Sequence, residues 1–136
     1  MKNIRVGCAT MVVKDNCLLM GIRGKEPGRG KLIVPGGGVD MFEDFHDTAP
    51  REILEETGIK IKNLKQFKTY QIINRDTEEH RVIILWTAEY DSGELCPSSD
   101  LLTAKFYTRE EIAAEVQAGN IDSIVRDALR DTGWVE

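Results

Sequence analysis

Runs of apolar residues broken by polar and glycine-rich turns set out the order of elements. Residues 4–13 are rich in Val, Ile, Met and Ala and read as a strand. Lys14, Asp15 and Asn16 interrupt that run, and Cys17 to Arg23 resumes it, which predicts a hairpin. Residues 25–31, KEPGRGK, form a Gly/Pro loop carrying three basic residues. Leu32 to Val34 is a short strand that ends at Pro35. Gly36, Gly37 and Gly38 are expected to form a loop, because consecutive glycines are poor in any regular element. Ile53, Leu54 and Thr57, joined by Phe45 and Ala49, supply the apolar stripe of a helix. Asp44 or Thr48 would cap it, and Gly58 would stop it. Residues 64–73 and 80–90 have strand composition, with the polar run Asn74 to Glu79 between them. Ala104 to Tyr107 predicts a further short strand, and Thr108 to Glu111 is a capping box opening a helix that Gly119 ends. Ile121, Ile124, Val125, Ala128 and Leu129 lie at helical spacing and predict a last helix. This order predicts an α/β domain over residues 1–136, with helices packed on a mixed, mainly antiparallel sheet.

The length of 136 residues suits one core, and the composition, 41% hydrophobic and 30% charged, is that of a globular chain. No apolar run is long enough to predict a transmembrane helix, and no small-residue cleavage site follows the first strand. Cys8, Cys17 and Cys96 form no CxxC pair, so free thiols and a cytoplasmic setting are expected. The formal net charge is −5. Residues 37–59 alone carry Asp40, Glu43, Asp44, Asp47, Glu52, Glu55 and Glu56 against Arg51, which leaves the remainder close to neutral. Acidity this local points to a site and not to a solubility device. No broad basic face is visible, which argues against duplex nucleic acid as a partner.

Glu52, Glu55 and Glu56 are spaced i, i+3, i+4 and share one helix face. Like charges so placed repel, and a hard divalent cation reverses the sign. Mg²⁺ takes oxygen ligands and keeps waters or phosphate oxygens in its remaining positions. A bare ExxEE is ordinarily a solvated acidic face. Here a glycine run, Glu43 and Arg51 stand at fixed offsets from it, and Arg51 can orient a carboxylate through its planar fork.

The segment resembles the Nudix box: G, five residues, E, seven residues, R-E, an aliphatic, any residue, E-E, any residue, G, an aliphatic. Gly37, Glu43, Arg51, Glu52, Ile53, Glu55, Glu56, Gly58 and Ile59 fill its defined places. The resemblance implies the α/β/α sandwich of that family, a mixed sheet flanked by helices. It also implies hydrolysis of a diphosphate linked to another moiety, with Mg²⁺ or Mn²⁺. Glu55 and Glu56 would be metal ligands, Gly36 would offer its carbonyl, Glu52 would bind metal or act as general base, and Glu43 would pair with Arg51. One residue departs from the pattern: Pro50 falls inside the box helix. A proline there removes a hydrogen bond and clashes with the preceding turn, so a kink, or a helix starting near Thr48, is expected.

Outside the box, Arg23 would contact substrate phosphate by resemblance, or form a surface ion pair; Lys25, Arg29 and Lys31, as basic residues of a glycine loop, would close over the phosphates or be simply solvated. Asp100, with Glu94 as its rival, would supply a late acidic ligand or contact the base. Gly37 would lie against substrate. His80 is expected to be structural or to face substrate, and Phe67, Tyr70 and Trp86 to be core, or one of them to line a base pocket. The N-terminal strand, the glycine loop and the EEHRVII strand resemble those of the MutT-like nucleoside triphosphate pyrophosphatases. Cleavage of a nucleoside triphosphate to the monophosphate and pyrophosphate is therefore the leading expectation. ADP-ribose or nucleotide-sugar hydrolysis is the alternative, and a non-catalytic nucleotide sensor the alternative of another class. The partner expected is a small-molecule nucleotide, with no membrane, and a homodimer is compatible with this.

Overall fold

The computed structural model describes residues 3–98 and 100–136. The elements run β1 (Arg5–Lys14), β2 (Cys17–Arg23), β3 (Leu32–Ile33), β4 (Gly36–Gly38), α1 (Phe45–Thr57), β5 (Lys60–Asn74), β6 (Glu79–Ser92), β7 (Leu101–Tyr107), α2 (Arg109–Gln117) and α3 (Ser123–Asp131). β1 is the axis of one mixed sheet. One of its edges pairs antiparallel with β2 at Val13 and Lys14 and with β4 at Gly7 to Ala9. The other runs parallel to β6, from Arg5 opposite Arg81 to Val13 opposite Glu89. β5 borders β6, while β3 and β7 border β2, all antiparallel.

The side-chain period of two divides the core between the faces. Met11 joins Ile112 of α2 and Ala128 and Leu129 of α3. Its neighbour Val12 joins Ile53 of α1 and Ile59. A third cluster, around Cys8, Ala49, Ile84 and Trp86, also lies on the α1 side. α1 thus covers one face and α2 with α3 the other, the helix–sheet–helix arrangement expected. Full burial of a residue such as Ile53 contributes about 1.5–3 kcal/mol.

Four expectations are corrected. Gly36–Gly38 is not a loop but a strand, paired Gly7–Gly38, Cys8–Gly37 and Ala9–Gly36. A Cβ on Gly36 would collide with the Cys8 carbonyl, and one on Gly37 with the Glu52 carboxylate. Only backbone without side chains can lie this close to β1 and leave Glu52 its place, and that constraint outweighs the weak strand preference of glycine. The helix does not begin near Thr48. Asp44 caps it, its side chain accepting from the His46 amide at 2.8 Å, so α1 starts at Phe45 and Pro50 sits beyond its first turn. Pro50 removes one N–H, while the cap and the Thr48 hydroxyl, which donates to Glu43 at 2.7 Å, hold the turn before it. Leu54 and Phe45 are exposed, not part of the stripe. The buried face is Thr48, Ala49, Ile53, Glu56 and Thr57, a rotation that turns Glu56 inward and Leu54 out. Phe67 is likewise exposed and is not a core residue, whereas Trp86 is buried.

Candidate functional site

Arg51 is the hub of the acidic segment. Its Nε donates to Glu43 Oε2 at 2.6 Å and its Nη2 to Glu43 Oε1 at 2.9 Å, the fork the sequence called for. Nη2 also donates to the Gly38 carbonyl at 2.9 Å, which ties β4 to α1. Nη1 donates to Glu52 at 2.8 Å and to Glu55 at 3.1 Å. Glu43 further accepts from the Asp40 amide at 3.1 Å. Arg51 above all, then the Thr48 hydroxyl and the Asp40 amide, hold the Glu43 carboxyl down at about 2. Glu43 in turn is the main reason the Arg51 guanidinium holds its proton more tightly than usual.

Glu52 and Glu56 are shifted the opposite way from Glu43. Both line a cleft of about 1000 Å³ that opens between the sheet and α3. Burial pushes the Glu52 carboxyl up, opposed by its bond to Arg51. Burial also pushes Glu56 up, to about 7, and the charges of Glu52 and Asp100 add to it, while a hydrogen bond from the Gly36 amide works the other way. Uncompensated negative charge therefore faces the cleft. Asp100 reaches it because the chain after β6 runs along the end of α1. The Cys96 amide donates to Thr57 O at 2.8 Å, the Ser98 amide to Glu56 O at 2.9 Å, and Asp100 O accepts from the Gly24 amide at 2.9 Å. Lys25 pairs with Asp100 at 3.2 Å.

The structure thus gathers Glu52, Glu56, Asp100, Gly36, Gly37, Arg23 and Lys25 at one end of the cleft. Glu55 and Arg51 stand behind it, and Glu94 is not part of its lining. Arg23 spends its Nε on the carbonyls of Lys25, at 3.1 Å, and Pro27, at 2.6 Å, and so shapes the 25–31 loop. Arg29 bonds the Gly24 carbonyl at 2.7 Å and Lys31 the Gly119 carbonyl at 2.9 Å. Both are structural bonds, with neither side chain in the cleft lining. His80 lines the cleft, with Nε2 at 3.0 Å from the Gln71 side-chain nitrogen.

As donors toward a divalent cation, Glu52 and Glu56 fit: they are hard oxygen ligands and carry more negative charge than their surroundings balance. No cluster of three or more ligating side chains converges among the described residues. Glu55 is held away by Arg51, and Gly36 meets Glu56 through its amide.

Sequence reading missed Arg5 and Arg81 in the lining of the cleft. Arg5 and Arg81 lie side by side in register, followed on the same face by Gly7 opposite Ile83 and Ala9 opposite Leu85. Ile124, Val125 and Ala128 of α3 also line the space. The signal was present: Arg81 alternates with Ile83 and Leu85, so the three share one strand face, with Glu79 beyond Arg81.

A NUDIX domain profile matches residues 1–128. The ADP-ribose pyrophosphatase of Methanocaldococcus jannaschii is 30% identical over 122 residues, 88% of this chain and 70% of that protein. The NAD-capped RNA hydrolase NudC of Yersinia pestis is 32% identical over 100 residues, and the match spans 73% of this chain but only 36% of NudC. Among solved structures, a MutT NUDIX hydrolase from Burkholderia pseudomallei superposes with a TM-score of 0.84 at 26% identity, over 96% of this chain and 98% of that one. The NUDIX domain of Shewanella oneidensis NrtR complexed with ADP ribose shares the fold, with a TM-score of 0.78 at 18% identity, over 97% and 88% of the two chains. Among the described residues no helix is long and apolar enough to cross a membrane.

Proposed function

Because the chain belongs to the NUDIX family of pyrophosphohydrolases, we propose that it cleaves the diphosphate of a nucleotide derivative, with ADP-ribose as the substrate. The observation that carries this reading is one cleft with an acidic end, at Glu52, Glu56 and Asp100, and an adjoining stretch lined by apolar side chains, among them Ile83, Leu85, Ile124 and Val125. Phosphates suit the first, with a cation between the charges, and a nucleoside suits the second. The relative named ADP-ribose pyrophosphatase supports the choice of substrate.

A divalent ion, Mg²⁺ or Mn²⁺, with Glu56 as its principal protein ligand, would neutralise phosphate charge and lower the barrier to attack by water. Arg51 fixes the orientation of Glu52 and Glu55 and takes no part in substrate contact. Glu52 accepts the proton of the attacking water. The water oxygen bonds to phosphorus, the P–O bond of the anhydride breaks, and the leaving phosphate carries the electron pair away. For ADP-ribose the products are AMP and ribose 5-phosphate. Lys25 and the outer nitrogens of Arg23 meet phosphate oxygens, and Asp100 adds charge at the acidic end and ties Lys25 down.

Hydrolysis of a nucleoside triphosphate is the second reading, favoured by the resemblance of the N-terminal strand and the EEHRVII strand to MutT-like enzymes and by the MutT neighbour. The test is a comparison of kcat/KM for ADP-ribose, nucleotide sugars and nucleoside triphosphates in Mg²⁺. A clear lead for ADP-ribose supports the first reading and a lead for a triphosphate the second. Binding of ADP-ribose without turnover of any compound would replace both with a sensor.

A further inference from the structure

α3 lies above the cleft and is fastened at both edges of the sheet. At the β3 edge the Leu32 amide donates to the Asn120 carbonyl at 2.9 Å. At the β5 edge Asp131 Oδ2 accepts from the Tyr70 hydroxyl at 2.6 Å and from Lys68 Nζ at 2.9 Å. Ile124, Ala128 and Asp131 are spaced i, i+4, i+7, so the helix face that lines the cleft ends in this clasp. Leu129, fully buried, anchors α3 to the core independently of it.

Asp131 is not there for the sake of the helix. It occupies the last turn, where the negative end of the helix dipole repels a carboxylate. That cost is offset from β5: Tyr70 first, then Lys68, hold the Asp131 carboxyl below its ordinary range. Tyr70 is buried and lines the cleft, and Asp131 is the partner that satisfies its hydroxyl.

The sheet register sets the clasp opposite the glutamates. Gly38, Gly7, Ile83 and Tyr70 form one row across β4, β1, β6 and β5. Gly36, Ala9, Leu85 and Lys68 form another, and the Gly36 amide is the one that meets Glu56. Three strand spacings, about 14 Å, separate the ends of each row. Phosphates at the glutamate end leave the rest of the substrate between the sheet, at Gly7 and Ile83, and α3, at Ile124 and Val125.

We propose that Tyr70 is a positioning residue for the hydrolysis: its bond to Asp131, with Lys68 in support, sets the height of α3 above the sheet and so holds the nucleoside while the phosphates react. The inference rests on the nucleotide reading of the cleft and adds to it a residue outside the acidic segment. The clasp touches no reacting atom. Its loss weakens binding of ground state and transition state alike, which raises KM and leaves kcat.

The test joins steady-state kinetics on ADP-ribose and on ATP in Mg²⁺ to hydrogen exchange of the free protein. Tyr70→Phe keeps the ring and removes the hydroxyl. KM for the compound turned over should rise about tenfold, the low end for one hydrogen bond to a charged group, with kcat within about twofold. Amides of residues 123–131 should exchange faster, while those of α1 keep the wild-type rate. Asp131→Asn, whose amide oxygen still accepts from Tyr70, should fall between the two. Faster exchange with an unchanged KM overturns the positioning role, because the clasp then serves the fold alone. A raised KM with unchanged exchange also overturns it, because the hydroxyl then meets substrate directly. A wild type that turns over neither compound sinks the nucleotide reading, and the role with it.

Discussion

Glu56→Gln should make the metal-free protein more stable while removing its activity. Glu56 is almost fully enclosed, and its carboxyl stands at about 7 against an ordinary 4.5. Each pH unit of that displacement corresponds to about 1.4 kcal/mol, which sets an upper bound near 3.4 kcal/mol on the cost of holding the ion. The carboxylate borders a solvent-filled cleft, so screening reduces this to about 1–2 kcal/mol. The sign follows from the direction. The folded carboxyl binds its proton more tightly than the unfolded one. Its contribution is intact below about pH 4.5, is lost as pH rises toward 7, and stays lost above that. Glutamine does not titrate and keeps the packing. In EDTA the variant and the wild type should melt together near pH 4.5 and separate by about 3–8 °C at pH 8. Adding Mg²⁺ should narrow the gap by stabilising the wild type through binding. A variant less stable than the wild type at pH 8, or a gap that does not change with pH, would refute the claim that buried charge at Glu56 strains the fold.

Arg51→Lys keeps the charge but loses the fork that holds Glu43, Glu52 and Glu55 together, so kcat should fall well before KM changes in steady-state assays. A normal kcat with a large rise in KM would make Arg51 a substrate ligand. Glu52→Gln should lose roughly 10²–10⁴ in rate, the range for a general base, while Mn²⁺ affinity read by water-proton relaxation is largely kept. A parallel loss of metal affinity would make Glu52 chiefly a ligand. Gly37→Ala should displace the Glu52 carboxylate, which its Cβ would strike, and cost up to about 10² in kcat with the fold retained by circular dichroism. Full activity would show that the close approach of β4 has no catalytic consequence.

The parts of this molecule that are legible in its sequence are those governed by local rules. Cys17–Arg23 is bounded as its composition indicates, and Thr108 and Glu111 exchange the two bonds of a capping box. The Arg51–Glu43 pair, which the resemblance to the Nudix box implies, is present as a fork. The misreadings share a different cause. Glycine propensity argues against a strand at Gly36–Gly38, but the partner that makes the strand is Cys8, some thirty residues away. Pro50 argues against a helix start at Phe45, but a side-chain cap at Asp44 and the Thr48–Glu43 bond decide it. Leu54 reads as core by periodicity, yet the helix turns to bring Glu56 inward. In each case a contact set by the tertiary fold overrides a local preference. The Arg81 and Glu79 end of the cleft is hidden for the same reason, since only the parallel register with β1 reveals which face they occupy.

The way charge is divided within the acidic segment explains how so many carboxylates can share one small region. Arg51 bonds Glu43 twice and Glu52 and Glu55 once each, and it lies 3.5 Å from Asp40. That half is compensated, and Glu43 accordingly stays ionised even in acid. Glu56 has no such bond from Arg51, and burial together with Glu52 and Asp100 leaves it poised near neutrality. The compensated half builds a rigid support, in which α1, β4 and the Asp40–Glu43 turn are tied to one guanidinium. The uncompensated half is where stability is given up. Strain of this kind persists only if the surrounding structure over-determines it, and the Arg51 hub is what does so here. Loosening the hub should therefore relax Glu56 as well: in Arg51→Lys the stabilising effect of Glu56→Gln at pH 8 should shrink. Strict additivity of the two substitutions in a double-mutant cycle would show that the two halves are energetically independent.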